Sequence, residues 1–190
     1  MSTVAEPSTM TTEQMLALPD NDTDRDLIRG QLRESPITFH DMRHSSVAAR
    51  ISCALVGWHP QHPQPGACVA SGEPGFRLMR NPDTTVGIDI AFVSAEVVAN
   101  SPENFPYFEG PPVLAVEILS PSDSQERIDE KVSLYREAGV PLIWIVNPVM
   151  KTVMVVRAHE EPVMFNVRQE LSGEPELPGF LVPVAEFFRF

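Results

Sequence analysis

Apolar positions along the chain fall into short blocks of recognisable period. Thr12 stands where it can cap a short helix over 13–18 that Pro19 ends. Leu27, Ile28 and Leu32 surround Gly30, which fits a strand turning over at the glycine or, as the other reading, the tail of a helix. Over 45–57, Val47, Ile51, Ala54, Leu55 and Trp58 recur at helical spacing, Ser45 or Ser46 can cap the segment, and His44 lies on its inner side. Pro and Gly crowd 59–75 into a loop, after which 75–80 and 86–94 read as two strands of a hairpin joined at Asn81-Pro82-Asp83.

The second half is more strongly patterned. Residues 95–112 look irregular, but 113–119 is apolar on both faces apart from Glu117, as in a central strand covered on both sides. Ser120-Pro121-Ser122 opens a helix that runs to about Ala138 and closes at Gly139. Residues 141–146 form a further buried strand, Asn147-Pro148 turns the chain, and 151–157 returns antiparallel; 163–167 predicts an edge strand and 184–188 a last short helix. No segment repeats. The order predicts an α/β fold with a mixed central sheet flanked by helices, and the Ser/Thr-rich residues 1–12 predict a flexible leader before a single domain, 13–190.

Composition narrows the function classes. No apolar run approaches the roughly 20 residues a bilayer needs, so no membrane partner is expected. Two Cys and no N-terminal apolar segment point to the cytoplasm without a disulfide framework. A formal net charge of -12 argues against holding a polyanion by bulk attraction, so any nucleic-acid contact must be local and of low affinity. Five arginines, Arg25, Arg29, Arg33, Arg43 and Arg50, face only Asp26, Glu34 and Asp41 in their segment. Of these Arg29, Arg33, Arg43 and Arg50 are the candidate phosphate contacts, with a solvated helix face as the alternative. Between 96 and 130 the balance reverses: Glu96, Glu103, Glu109, Glu117, Asp123, Glu126, Asp129 and Glu130 stand against Arg127 alone.

Three charges sit where charge is costly. Glu117 shares a strand face with Val113, Ala115 and Leu119, so it must be paired, protonated or bound to a metal. Asp89 interrupts an apolar run beside Gly87 and Ala91, whose small side chains leave room for an ion. On a helical wheel Lys131 falls within the arc of Ile128, Val132, Leu134, Tyr135 and Ala138. The chain has only Lys131 and Lys151, and Glu117 lies on the strand leading into the helix, so an inward Lys131 points to that carboxylate. Two carboxylates and a lysine are the set needed for metal-assisted phosphodiester hydrolysis with Mg²⁺ or Mn²⁺, which take few protein ligands and keep several waters.

The runs Gly87-Ile-Asp-Ile-Ala-Phe-Val-Ser-Ala-Glu, Pro111-Pro-Val-Leu-Ala-Val-Glu-Ile-Leu-Ser-Pro-Ser, Lys131 ahead of Tyr135, and Ala138-Gly-Val-Pro-Leu-Ile-Trp-Ile-Val-Asn-Pro resemble the Uma2 family. That family is similar to the PD-(D/E)XK restriction-endonuclease-like nucleases, so the resemblance implies that core and a DNA endonuclease activity. It implies that Asp89 and Glu117 bind the metal, and that the lysine usual two residues after the acid, where Leu119 stands, has moved to Lys131. Gly30-Gln31-Leu32 matches a place where the family often shows Gly-Glu-Leu, so Gln31 is expected to complete the site, with Glu34 as a substitute and His44 as a further candidate. Cutting both strands would call for a homodimer.

Other readings stand beside this one. The same fold can serve as a catalytically degenerate binding or assembly module, with Glu117 and Lys131 as a structural pair. A glycosidase would need Asp89 and Glu117 to flank an open sugar cleft. Cys53, His59, His62 and Cys68 lack the spacing of zinc sites, and the serines at 120–124 fit helix capping better than a nucleophile elbow.

Overall fold

In the computed structural model, residues 9–19, 22–37, 41–101, 107–121 and 123–189 are described. Most of the expected leader, residues 1–8, lies outside them, as do Glu103 and Ser122. Helix α1 (Thr12–Leu16) is capped by Thr11 in a reciprocal capping box with Gln14, one residue earlier than expected. Strands β1 (Thr23–Ile28) and β2 (Gln31–Pro36) form a hairpin. Arg29 and Gly30 both have positive φ, the conformation of a tight hairpin turn, so the strand reading of this segment holds.

Helix α2 (Met42–Trp58) starts three residues before the predicted segment because Asp41, not Ser45 or Ser46, caps it. Its buried stripe is His44, Val47, Ile51, Leu55 and Trp58. The expected loop that follows holds a 3₁₀ turn and a strand, β3 (Cys68–Ser71). Strands β4 (Gly75–Met79) and β5 (Thr84–Gly87) make the predicted hairpin around a cis Asn81-Pro82 bond. The predicted second strand does not continue, however. The chain leaves the first sheet at Gly87 and resumes as β6 (Ile90–Val93) in another. Helix α3 (Ala95–Asn100) and β7 (Tyr107–Glu109) occupy the stretch expected to be irregular.

Strand β8 (Leu114–Ile118) is buried throughout and pairs parallel with β9 (Leu142–Asn147) through the crossover helix α4 (Gln125–Glu137). Ser124 caps α4; Ser120 instead bonds Asp123 through its N–H and hydroxyl, so the helix begins later than Ser120-Pro121 suggested. Strands β10 (Thr152–Arg157) and β11 (Val163–Asn166) continue the sheet outward, and a small hairpin, β12 (Glu170–Ser172) with β13 (Leu181–Pro183), precedes a final 3₁₀ turn, Val184–Phe188.

A six-stranded sheet, β11-β10-β9-β8-β6-β3, therefore lies beside a five-stranded one, β2-β1-β5-β4-β7. Both are mixed, since β8–β9 and β4–β7 are parallel and the other pairs antiparallel. Alternation divides the core. Leu114, Val116, Ile118 and Trp144 face α2 with Val47, Ile51 and Leu55, whereas Ala115, Ile143 and Ile145 join Leu134 and Tyr135 of α4, Phe76 and Val86 of the smaller sheet, and Ile88 between the two sheets. Glu117 follows Ala115 in this alternation, so its side chain enters the space between the two sheets and α4. No described helix is long and apolar enough to cross a membrane.

Arg77 ties the N-terminal helix to this frame. Its buried guanidinium bonds Glu109, reaches Glu13 of α1 at 2.5 Å and Asp83 at 3.6 Å, and lies over the Tyr107 ring. Removing it strands partly buried carboxylates, so Arg77→Met should lower stability in urea denaturation by about 3 kcal/mol or more. Arg33→Ala, which breaks an exposed pair with Glu130, should cost less than about 1 kcal/mol.

Candidate active site

The break between β5 and β6 puts Asp89 at the passage from one sheet to the other. There its Oδ2 accepts the N–H of Ile118 at 2.6 Å, the residue after Glu117, so both carboxylates arrive at the same end of β8. Asp89 Oδ2 also stands 3.3 Å from His44 Nε2, presented by the first turn of α2. Glu117 is held from α4: Lys131 Nζ donates to its Oε2 at 2.8 Å and the Tyr135 hydroxyl donates to its Oε1. Lys131 and Tyr135 are four residues apart and share a helix face. The ammonium also donates to the Gly87 carbonyl at 3.3 Å.

Apart from Tyr135, which is fully buried behind Glu117, these groups line one cavity of about 750 Å³, whose walls include Asp24, Asp26, Asp41, Glu73, Asp123, Arg25 and Arg127, with Met15, Leu16 and Ile37 as an apolar side. Asp26 is the member that the sequence reading missed. Its Oδ1 accepts the Gly87 N–H at 3.3 Å, and Lys131 is among the charges acting on it. The expected occupant of that position, Gln31, lies exposed at the tip of the β1–β2 hairpin and does not line the cavity. Two-residue alternation along β1, which places Asp24, Asp26 and Ile28 on one face, was the signal available.

Glu34 is likewise away from the cavity, paired with Arg25 at 3.0 Å. Arg29 bonds both oxygens of Glu137 at 2.9 and 2.8 Å, and Arg33 grips Glu130, so two expected phosphate contacts clamp the hairpin to α4. Arg50 is half-buried, with its Nε unpartnered among the described residues, and Arg43 is exposed on α2. Cys53 is exposed and His62 stacks on Trp58, so the Cys/His array does not gather.

Electrostatics distinguishes the carboxylates. Burial pushes Asp89 up, but the hydrogen bonds from His44 and Ile118 prevail and hold it below the usual range. Burial pushes Glu117 to about 7, with the Asp89 charge adding and Lys131 opposing. Burial likewise raises Asp26 against the pull of Lys131. Lys131 is itself held above its ordinary value because Glu117 and Asp26 outweigh its desolvation. His44 is raised because the Asp89 bond and charge overcome burial. The site thus gathers three carboxylates, Asp26, Asp89 and Glu117, around Lys131, with only Asp89 held below its ordinary range. Among the described residues no group of three or more His, Cys, Asp or Glu is placed to hold a metal. The donors on offer are the Asp89 and Glu117 carboxylates, which suits a hard cation that keeps most of its waters.

The Uma2 family model, described as "Putative restriction endonuclease", matches residues 12–185. The chain's fold is similar to that of a crystal structure entitled a "putative nuclease belonging to DUF820" from Anabaena variabilis ATCC 29413, with a TM-score of 0.76 at 21% identity, covering 96% of this chain and 98% of that one. A search of curated proteins finds no match.

Glu117 binds a proton more tightly folded than unfolded, so its contribution is fully present below its ordinary value of 4.5 and is lost as pH rises through about 7. Metal-free protein should therefore lose stability between about pH 4.5 and 7, by at most roughly 3 kcal/mol from this group. Glu117→Gln should flatten that slope in chelator-treated thermal melts recorded across the same range.

Proposed function

The chain belongs to the Uma2 family, and from that premise we propose that it is a divalent-metal-dependent nuclease hydrolysing phosphodiester bonds in DNA. The observation that carries this reading is the joint presentation of Asp89 and Glu117 to one cavity, with Lys131 bonded to Glu117. Asp89 and Glu117 would hold Mg²⁺ or Mn²⁺. The bound cation would polarise the phosphoryl oxygen and make a bound water more acidic.

The remaining work falls to this chain's own groups. Lys131, charged and half-buried, orients the attacking water and offsets charge growing on the phosphate. Tyr135 fixes the second oxygen of Glu117 and so its rotamer. His44 keeps Asp89 ionised and oriented. Asp26 occupies the role for which Gln31 was expected, as a further carboxylate facing Lys131. Arg43, exposed at the start of α2, and Arg127, on the cavity wall, contact flanking phosphates. With Arg29 and Arg33 already paired, few phosphates are contacted, so affinity for DNA is low and its salt dependence shallow.

One observation favours the degenerate module instead: both oxygens of Glu117 are already taken, by Lys131 and Tyr135. Calorimetry separates the two. The nuclease reading predicts Mg²⁺ and Mn²⁺ binding that Asp89→Ala abolishes; wild type that binds neither ion leaves the module.

Cleavage of single- and double-stranded DNA with Mn²⁺ tests the chemistry. Lys131→Met should lower the rate by about 100-fold or more while leaving the protein folded. Cleavage by the variant at the wild-type rate would remove Lys131 from the mechanism.

A further inference from the structure

Part of the cavity wall has no role in the hydrolysis proposed above. Leu16 of α1 and Ile37, the residue after β2, both line the cavity, and they are 42% and 62% exposed. Ile37 is tied to the entry of β1, where its N–H donates to the Asp22 carbonyl at 3.4 Å. It follows by four residues Arg33, the cross-strand partner of Asp26, which sets it about 13 Å along the hairpin from that carboxylate. Leu16 is fixed as firmly. A five-residue helix has little stability of its own, yet α1 is fastened at two points. Thr12 donates its N–H and its hydroxyl to Asp83 Oδ2 at 2.9 and 2.8 Å, and Glu13 is held by Arg77. The rim, by contrast, is acidic. Asp24, Asp41, Glu73 and Asp123 stand exposed around the same cavity, while Arg25 is engaged by Glu34 and the Pro19 carbonyl.

We propose that the substrate is single-stranded DNA, with the base beside the reacting phosphate laid against Leu16 and Ile37. The inference rests on the nuclease reading and names the form of DNA that the same cavity takes. An apolar wall this far from the carboxylates meets the neighbouring nucleotide and not the reacting phosphate. In a duplex the base faces are stacked on one another, so Leu16 and Ile37 would meet only sugar and phosphate; an unpaired base has a free apolar face to offer them. Charge points the same way. A duplex carries one negative charge per about 1.7 Å of axis, against about 3.4 Å for one strand, and its stiffness brings the second backbone against the acidic rim. A cavity of about 750 Å³ is a pocket for a nucleotide and its base, not a groove that embraces a double helix.

Steady-state cleavage by the full chain with Mn²⁺ tests this on a single strand and on the same sequence as a duplex. The readout is the ratio of kcat/KM for the two, since loss of fold or of metal lowers both alike. Wild type should favour the single strand by about tenfold or more. Leu16→Ser with Ile37→Ser should reduce that ratio by about fivefold, chiefly through KM on the single strand. Asp24→Asn with Asp41→Asn should reduce it by speeding cleavage of the duplex, Asn serving as well as Asp at the N-cap of α2. A duplex cut as fast as the single strand, or a ratio that either pair of substitutions leaves unchanged, overturns the inference while the nuclease reading stands. Absence of cleavage on both substrates overturns that reading and this inference with it.

Discussion

The buried bond between Glu117 and Lys131 is the constraint around which the molecule is arranged. Removing a carboxylate from water inside a central strand is costly unless a cation and hydrogen bonds meet it. Here the chain meets it with the next element in sequence. The crossover from β8 to β9 brings α4 over the face that Glu117 occupies, and one turn of that helix supplies both Lys131 and Tyr135. An apolar residue at 117 would simply extend the cluster that Ala115 and Ile145, the partner of Glu117 on β9, already form on this face. The charged pair therefore selects a geometry, with the ammonium set towards the cavity and not on the outer face of α4.

The rest of the site follows from where that ammonium points. Gly87, which ends β5, accepts a hydrogen bond from Lys131 and donates one to Asp26 of β1, so the smaller sheet is registered against α4 through main-chain atoms. Just beyond, the chain changes sheets and leaves Asp89 bonded to the β8 backbone and to His44 of α2. Three carboxylates then surround one lysine, and their different environments set their charge: Asp89 is held ionised, while Glu117 and Asp26 are raised by burial. Outside the cavity, Arg29 and Arg33 fasten the β1–β2 hairpin to α4, and Arg77 fastens α1 to the smaller sheet. Much of the chain's scarce positive charge is in this way committed to internal partners.

The sequence made the centre of this arrangement legible because periodicity was unambiguous there. A lone carboxylate in the apolar run of β8 and a lone lysine in the apolar arc of α4 are each conspicuous, and adjacency in the chain made them partners. The small hairpin from β9 to β10 and the Gly30 turn were legible for a similar reason, since turn residues bounded short apolar runs. What escaped depends on tertiary placement. The run 86–94 has continuous β-character, and nothing local shows that it divides between two sheets at Ile88 and Asp89. Asp26 looked like one acid among arginines, because the face it presents is decided by the β1–β5 pairing and by Gly87. Gln31 drew notice through its neighbours Gly30 and Leu32, yet the turn that those residues form carries it to the exposed tip. Arg29 and Arg33 looked available to phosphate because their partners, Glu137 and Glu130, lie about a hundred residues away in the chain.

On the proposed function, Asp89 and Glu117 beside Lys131 receive a divalent cation. Anomalous diffraction from a crystal of the protein soaked in Mn²⁺ tests that most directly. The predicted result is a peak in the cavity within ligand distance of both the Asp89 and Glu117 carboxylates, absent from a crystal of the Asp89→Ala protein. A map without a peak there, with Lys131 and Tyr135 still closed on Glu117, would contradict it.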